Sequence, residues 1–161
     1  MIEIVTRMEI KAQPEQIFNA FVKSDQIGNF WFSKSSEDWS KGKTIELSYD
    51  EFNAKMNIKI EHLRENQQIM FTWGNSSEER AVTINIAVKS DESSVVEVKE
   101  QGFQEYEDLL TNPALSEVRT FEYEEIVFNL MNGKGGWTFV LTCLKAYLES
   151  DITTLRTGLL G

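Results

Sequence analysis

The sequence predicts an α+β fold in which a curved antiparallel β-sheet wraps around a long C-terminal α-helix, after a first strand and two short helices. Two observations predict this class. Five consecutive segments between residues 44 and 98 alternate apolar and polar side chains, as strands do when one face is buried and the other is hydrated. From Gly136 to Ser150 the apolar residues recur at spacings of three and four, as on the buried face of a helix.

The N-terminal part of the chain accounts for the first strand and the two short helices. Residues 2–11 carry most of their apolar side chains at alternate positions, which predicts a strand. Pro14 suits the first turn of the first helix, because the N–H that proline lacks would have no partner there. The second short helix is expected over residues 25–32, with Ser24 as its cap.

The alternating segments in the middle of the chain predict an antiparallel meander. Short polar connections typical of hairpins separate them, such as Gly74-Asn75-Ser76-Ser77 and Ser90-Asp91-Glu92. Their apolar positions are expected to face the C-terminal helix. A curved sheet that closes on one helix in this way is a helix-grip fold.

One domain over residues 1–151 accommodates all of these elements. Residues 104–132 interrupt the strand pattern and are strongly acidic, so we expect one or two short helices there. They are expected to lie near the mouth of a cavity between the sheet and the terminal helix. The terminal helix is expected to begin after the loop Gly133-Lys134-Gly135-Gly136. Residues 152–161 are expected to form a short, poorly ordered tail.

The composition argues against several classes of partner. A formal net charge of -10 repels phosphate backbones, so no nucleic acid partner is expected. No apolar stretch approaches the about 20 residues that span a bilayer, and residues 1–4 do not resemble a signal peptide. Cys143 is the only cysteine, which excludes an intramolecular disulfide. We therefore expect a cytoplasmic protein without a membrane partner.

No catalytic or metal-binding motif stands out in the sequence. His62 is the only histidine. The alternation of Met56, Ile58 and Ile60 would place it on the inner face of the sheet, but a histidine at the end of a strand and near the surface is the favoured interpretation. A metal site there would need further convergent ligands, and no other histidine or nearby cysteine supplies them. Cys143 lies on an apolar stripe and is expected to behave as a small hydrophobic residue. The sequence thus predicts no catalytic residue, no metal and no cofactor.

The aromatic residues instead predict an apolar cavity for a ligand. A sheet bent around one helix leaves space at one end, and apolar pockets with a few polar groups are the usual ligand sites. Large rings supply rigid walls, and the alternative is that the same rings simply pack as core. The candidate cavity residues are Trp31, Phe32, Tyr49, Met56, Ile58, His62, Arg64, Phe71, Trp73, Ile86, Trp137, Leu141 and Leu144.

Four local motifs, taken in order, resemble a known family. They are residues 12–21 (AQPEQIFNAF), Trp31-Phe32, Phe71-Thr72-Trp73, and Gly136-Trp137 with the leucines that follow it. Together they resemble the START-like (SRPBCC) superfamily of helix-grip domains, and within it the branch named after the activator of the heat-shock-protein-ninety ATPase. The resemblance covers residues 2–101 and 133–150. Residues 41–43 (KGK) depart from the Pro-Gly-Gly that family members often carry before the second major strand.

Three hypotheses about function follow from the residues and the resemblance. The first is a non-enzymatic binding domain for a small apolar or amphipathic molecule, because inner aromatic rings are abundant and no catalytic constellation is visible. The second, which the resemblance implies, is a chaperone ATPase activator-like factor in the stress response, with a chaperone as its partner. The third is a cyclase or hydrolase that uses Tyr49, His62 or Arg64.

Overall fold

The computed structural model describes residues 1–76, 78–111 and 120–160. The predicted α+β class is confirmed: a curved seven-stranded antiparallel sheet, in the order β1-β7-β6-β5-β4-β3-β2, packs against a long C-terminal helix. Among the described helices, none combines the length and the apolar character needed to cross a bilayer. The strands are β1 (Ile4–Ile10), β2 (Lys34–Ser35), β3 (Thr44–Tyr49), β4 (Ala54–Arg64), β5 (Gln68–Trp73), β6 (Arg80–Val88) and β7 (Ser94–Gln101), and the helices are α1 (Pro14–Val22), α2 (Gln104–Thr111) and α3 (Thr120–Ser150).

The sheet is the meander that the alternating pattern predicts. Strands β3 to β7 pair in sequence, and β1 closes the order beside β7, with Ile4 opposite Glu100 and Ile10 opposite Ser94. Alternate residues of these strands are buried, as the burial of Val82, Ile84 and Ile86 in β6 illustrates. The buried face of the sheet therefore provides one wall of the core.

Helix α1 forms where Pro14 predicts its first turn. The backbone N–H of Gln13 donates to Oε1 of Gln16 at 2.9 Å, which satisfies a donor just before the helix. The second short helix is a three-residue 3-10 helix over Ile27–Asn29, shorter than residues 25–32. Ser24 does not cap it, because its backbone N–H and its hydroxyl both donate to Asp38, at 2.7 and 2.8 Å.

Helix α3 begins at Thr120, earlier in the chain than expected, so the predicted loop over residues 133–136 lies inside the helix. Close packing explains the glycine at position 133 inside the helix, since a Cβ atom there would lie 2.6 Å from Cδ1 of Ile4. Glycine there lets the helix approach the edge strand β1. The acidic segment 104–132 accordingly falls in α2 and in the first part of α3, and residues 112–119 lie outside the described part of the chain.

The C-terminal tail is held to the domain, and the expectation of a poorly ordered tail is wrong around Arg156. Residues Leu155–Thr157 form a 3-10 helix, and the side chain of Arg156 is buried. Its Nε donates to the carbonyl of Gly28 at 2.9 Å, and its Nη2 lies 2.8 Å from Oε1 of Glu51. Hydrogen bonds that involve a charged group are strong enough to order a short segment.

We expect Gly133→Gln to lower the free energy of unfolding by about 1–3 kcal/mol, because its side chain must displace Ile4 or push α3 away from β1. The matched control is Gly135→Gln, since a Cβ atom at Gly135 meets nothing within 4 Å. That control should be neutral or stabilising by up to about 1 kcal/mol, because glycine is a poor helix residue. Urea denaturation measures both, and equal stabilities would contradict the packing role of Gly133.

Candidate functional site

A pocket of about 370 Å³ lies between α3 and the sheet. Strands β3, β5 and β7 each contribute a residue to its wall, and α3 contributes the opposite side. The wall is mainly aromatic and aliphatic, which makes it a suitable surface for an apolar group. Its residues are Trp31, Tyr49, Trp73, Glu100, Gly133, Gly136, Trp137, Phe139 and Val140.

Three tryptophans form a continuous cluster in this wall. Trp73 and Trp137 stack with their ring centroids 5.4 Å apart and their planes at 28°. Trp31 packs against both, at 6.1 Å from Trp73 and 5.2 Å from Trp137. Because each ring is wedged against two others, the cluster is rigid and its π faces have fixed directions.

Glu100 is the charged residue of the pocket, and it is buried, with 8% of its surface exposed. Its carboxylate accepts two hydrogen bonds from indole groups: Nε1 of Trp73 donates at 3.1 Å and Nε1 of Trp137 at 2.7 Å. Its neighbours across the sheet, Ile4 and Val82, are buried and apolar. One carboxylate therefore orients two rings of the cluster.

Sequence reasoning missed Glu100, although a signal was present. Residues Val96 and Val98 establish the inward parity of β7, and Glu100 continues that parity. A carboxylate at the next inward position of an apolar strand must find hydrogen-bond donors inside the protein. Trp73 and Trp137, whose indole groups are donors, were already among the candidate residues.

The structure brings four of the predicted cavity residues together at the pocket: Trp31, Tyr49, Trp73 and Trp137. Met56 is half-buried and packs against the core. The other inward-facing candidates are buried in the core cluster and do not belong to the wall of this pocket: Phe32, Ile58, Phe71, Ile86, Leu141 and Leu144. A contact between any of these residues and a ligand remains a prediction.

His62 and Arg64 do not line the pocket, so the pocket position that the strand alternation suggested for them is wrong, and the favoured interpretation of His62 as a strand-end residue near the surface fits the structure. A β-bulge in β4 shifts the pairing between Ile60, opposite Phe71, and His62, opposite Met70. Leu63, opposite the buried Ile69, therefore takes the inward position. One extra residue in a strand exchanges the faces of all residues that follow it. Tyr49, His62 and Arg64 thus do not converge on one site.

Tyr49 supplies a phenol group to the pocket wall. Its ring packs 4.8 Å from Phe32, and the guanidinium of Arg156 lies 5.5 Å from its ring centroid. Burial raises the pKa of the Tyr49 hydroxyl, and the positive charge of Arg156 opposes this only in part. The phenol therefore remains protonated at neutral pH, where it can donate a hydrogen bond.

Cys143 lies on the buried side of α3, where it packs as a small apolar side chain. Burial raises the pKa of the Cys143 thiol to about 11, although the positive charge of Arg156 opposes the shift. Within the described residues, no group of three or more histidine, cysteine or acidic side chains is arranged to hold a metal ion.

A sequence model of one protein family matches most of the chain. The family is described as "Activator of Hsp90 ATPase homolog 1-like protein", and the match covers residues 11–149. That range includes every residue of the pocket wall. A search of the curated proteins found no match to this sequence.

Solved structures share the fold over nearly the whole chain. Protein SSP2350 from Staphylococcus saprophyticus is 38% identical over 94% of this chain and 95% of its own, with a TM-score of 0.74. The Aha1 dimer from Colwellia psychrerythraea is 18% identical over 93% and 98% of the two chains, with a TM-score of 0.69. CalU16 from Micromonospora echinospora is 11% identical over 97% and 80%, with a TM-score of 0.64. The last two likenesses concern the fold alone.

The Cys143 thiol is expected to resist alkylation by iodoacetamide at pH 8, because a pKa of about 11 leaves little thiolate. Relative to a thiol with the ordinary pKa, the thiolate fraction falls by roughly a hundredfold. The raised pKa also favours the folded state up to the ordinary thiol pKa, and this contribution is lost as the pH rises through about 11.

Mass spectrometry of samples taken over time measures the alkylation. The same protein in guanidinium chloride is the positive control, since unfolding restores the ordinary thiol. Equal rates in the folded and unfolded protein would contradict the burial of Cys143.

Proposed function

Because this chain belongs to the family of Activator of Hsp90 ATPase homolog 1-like proteins, whose fold is that of a class of ligand-binding domains, we propose that it binds a small apolar or amphipathic molecule in the pocket beside α3. The family membership confirms the resemblance to which the sequence motifs point. The binding is proposed to be non-enzymatic.

The observation that carries the proposal is the aromatic pocket itself. Its volume of about 370 Å³ falls in the range of small-molecule sites, which begins at about 300 Å³. The tryptophan cluster provides a large apolar area, and Glu100 and Tyr49 provide the few polar groups that would orient a ligand. A rigid wall also favours binding, because little side-chain freedom remains to be lost.

A binding role is favoured over an enzymatic one by the placement of the titratable residues. The groups that the sequence offered for acid–base chemistry were Tyr49, His62 and Arg64. The β-bulge in β4 separates the last two from the pocket, so Tyr49 has neither of them as a partner in proton transfer. A cytoplasmic location is proposed as well, consistent with the free thiol of Cys143.

Gly136→Phe is expected to weaken binding at least about tenfold for apolar ligands, because its ring would occupy the pocket that an apolar group must enter. Gly136 lines the pocket, and a Cβ atom there meets nothing within 4 Å, so the fold should tolerate the change. The matched control is Gly135→Phe, since its equally unobstructed neighbour does not line this pocket.

Tryptophan fluorescence and thermal shift measure the binding of a panel of apolar and amphipathic molecules. Native mass spectrometry of the purified protein adds a search for a bound molecule. The absence of any bound species and of any shift with the wild-type protein would overturn the proposed function.

A second candidate function is binding to a chaperone, in the manner that the family's name describes. Exposed apolar side chains on α3 favour it, because they offer area for a protein partner away from the pocket. Phe128 exposes 64% of its surface, and Val127 and Met131 beside it are also exposed. Such a role would use the surface of α3 and would not require the pocket to be filled.

Stimulation of the ATPase of an Hsp90-type chaperone from the same host tests this second function. Wild-type protein is expected to raise the ATPase rate at least about twofold, and Phe128→Ser should reduce the effect, because anchoring apolar residues carry most of the binding energy. Phe52→Ser is the control, since Phe52 is similarly exposed, at 59%, but lies in the loop between β3 and β4. Lack of both stimulation and binding would exclude this function.

A further inference from the structure

We propose that the pocket selects an amphipathic organic cation, an alkyl- or arylammonium ion whose charged nitrogen binds Glu100 and whose apolar part packs on the tryptophan cluster. This inference rests on the proposed ligand-binding function and names the class of ligand. It follows from the buried charge of Glu100, the acceptor sites left on its carboxylate and the pairing of Arg156, the other buried charge of the described residues.

Glu100 is a buried charge without a counter-charge among the residues that the structure describes. Within the described residues, Glu100 and Arg156 are the two charged side chains that are buried. Arg156 is paired with Glu51 at 2.8 Å. No lysine, arginine or histidine of the described chain forms an ion pair with Glu100, whose partners are the neutral indoles of Trp73 and Trp137. A cation bound in the pocket would supply the missing counter-charge.

Arg80, on the same face of β6 as the residue opposite Glu100, is paired with another carboxylate. Arg80 precedes Val82, the residue opposite Glu100, by two positions in β6. Its guanidinium pairs with Glu105 and lies 4.4 Å from the ring centroid of Phe103. The charge of Arg80 is therefore neutralised by Glu105 in α2. The negative charge of Glu100 remains available to a ligand.

The Glu100 carboxylate has acceptor capacity left for a ligand. A carboxylate offers about four lone-pair sites on its two oxygens. The indole of Trp73 donates to Oε1 and that of Trp137 to Oε2, so each oxygen uses one site. An ammonium N–H can donate to a remaining site, and hydrogen bonds between charged partners are about twice as strong as neutral ones.

The tryptophan cluster supplies apolar area for the body of the same ligand. The N–H edges of Trp73 and Trp137 point at Glu100 and the two rings stack on each other, so the cluster contributes mainly apolar contact. Three indoles, from Trp31, Trp73 and Trp137, border the pocket that Glu100 enters. An anionic ligand would be repelled by Glu100, and a neutral alcohol could donate only a hydrogen bond that is weaker than one from an ammonium group.

The volume and the lining of the pocket determine the uncharged part of the ligand. The pocket volume of about 370 Å³ is far more than an ammonium group requires. The remaining space is lined by apolar side chains such as Phe139 and Val140. A bare metal cation or ammonium ion would leave that surface wet. The complementary molecule therefore carries one positive nitrogen on an alkyl or aryl body.

Three ligands of the same shape test the charge preference directly in the wild-type protein. They are phenylbutylammonium, phenylbutanol and phenylbutyrate, which carry a positive, a neutral and a negative group on one apolar body. Isothermal titration calorimetry at about 0.15 M salt, which screens the overall negative charge of the chain, gives the three dissociation constants. The ammonium ion is expected to bind about tenfold more tightly than the alcohol, and the carboxylate more weakly than both.

Glu100→Gln removes the charge and is expected to equalise the affinities for the ammonium ion and the alcohol. The matched control is Glu97→Gln, because Glu97 lies on the same strand but on the opposite face, where it pairs with Arg7 at 2.6 Å. That variant loses the same formal charge and should keep the tenfold preference. Thermal unfolding of both variants is recorded, and if Glu100→Gln does not fold, the wild-type comparison of the three ligands decides.

The outcomes separate this inference from the function on which it rests. If the alcohol binds as tightly as the ammonium ion or more tightly, the cation preference is overturned and the ligand-binding function stands. If Glu97→Gln abolishes the preference as Glu100→Gln does, the effect arises from net charge, and the assignment to Glu100 is overturned. If none of the three ligands binds and the wider panel also gives no shift, both proposals fail.

Discussion

The buried hydrogen bonds of Glu100 hold the helix and the sheet in one arrangement. Trp137 brings α3 to the carboxylate, and Trp73 brings β5 to the same group on β7. Burying a carboxylate is unfavourable unless hydrogen-bond donors reach it. The contact is therefore stable only when both indoles and the carboxylate are in place. The stacking of Trp73 on Trp137 and the shape of the pocket depend on this contact.

Two further contacts keep α3 in the position that the Glu100 contact requires. Gly133 lies about one turn before Trp137, and the absence of its side chain lets the helix backbone approach Ile4. Beyond the other end of α3, Arg156 binds the carbonyl of Gly28 and the carboxylate of Glu51. The helix is thus held to the sheet near Gly133 and Trp137, and the chain beyond it is bound to the 3-10 helix that precedes Trp31 and to Glu51.

The family and the site inform different levels of function. Membership of the family establishes the fold, and one fold supports many activities. The side chains of the pocket therefore determine which ligand this chain binds. In this chain the decisive features are a rigid indole cluster and a buried acid without a counter-ion. The exposed apolar side chains of Val127 and Phe128 belong to a different surface, so ligand binding and chaperone binding are physically compatible.

The sequence by itself determined the local elements, because periodicity and proline report on neighbouring residues. The strands β3 to β7, the start of α1 and the buried face of α3 after Gly136 follow from those signals. Only the tertiary structure decided the rest. The packing of Gly133 on Ile4 and the meeting of Glu100 with two indoles join residues far apart in the chain, where local patterns carry no information. The bulge that turns His62 outward is set by the pairing of β4 with β5, which the alternation within β4 alone does not report.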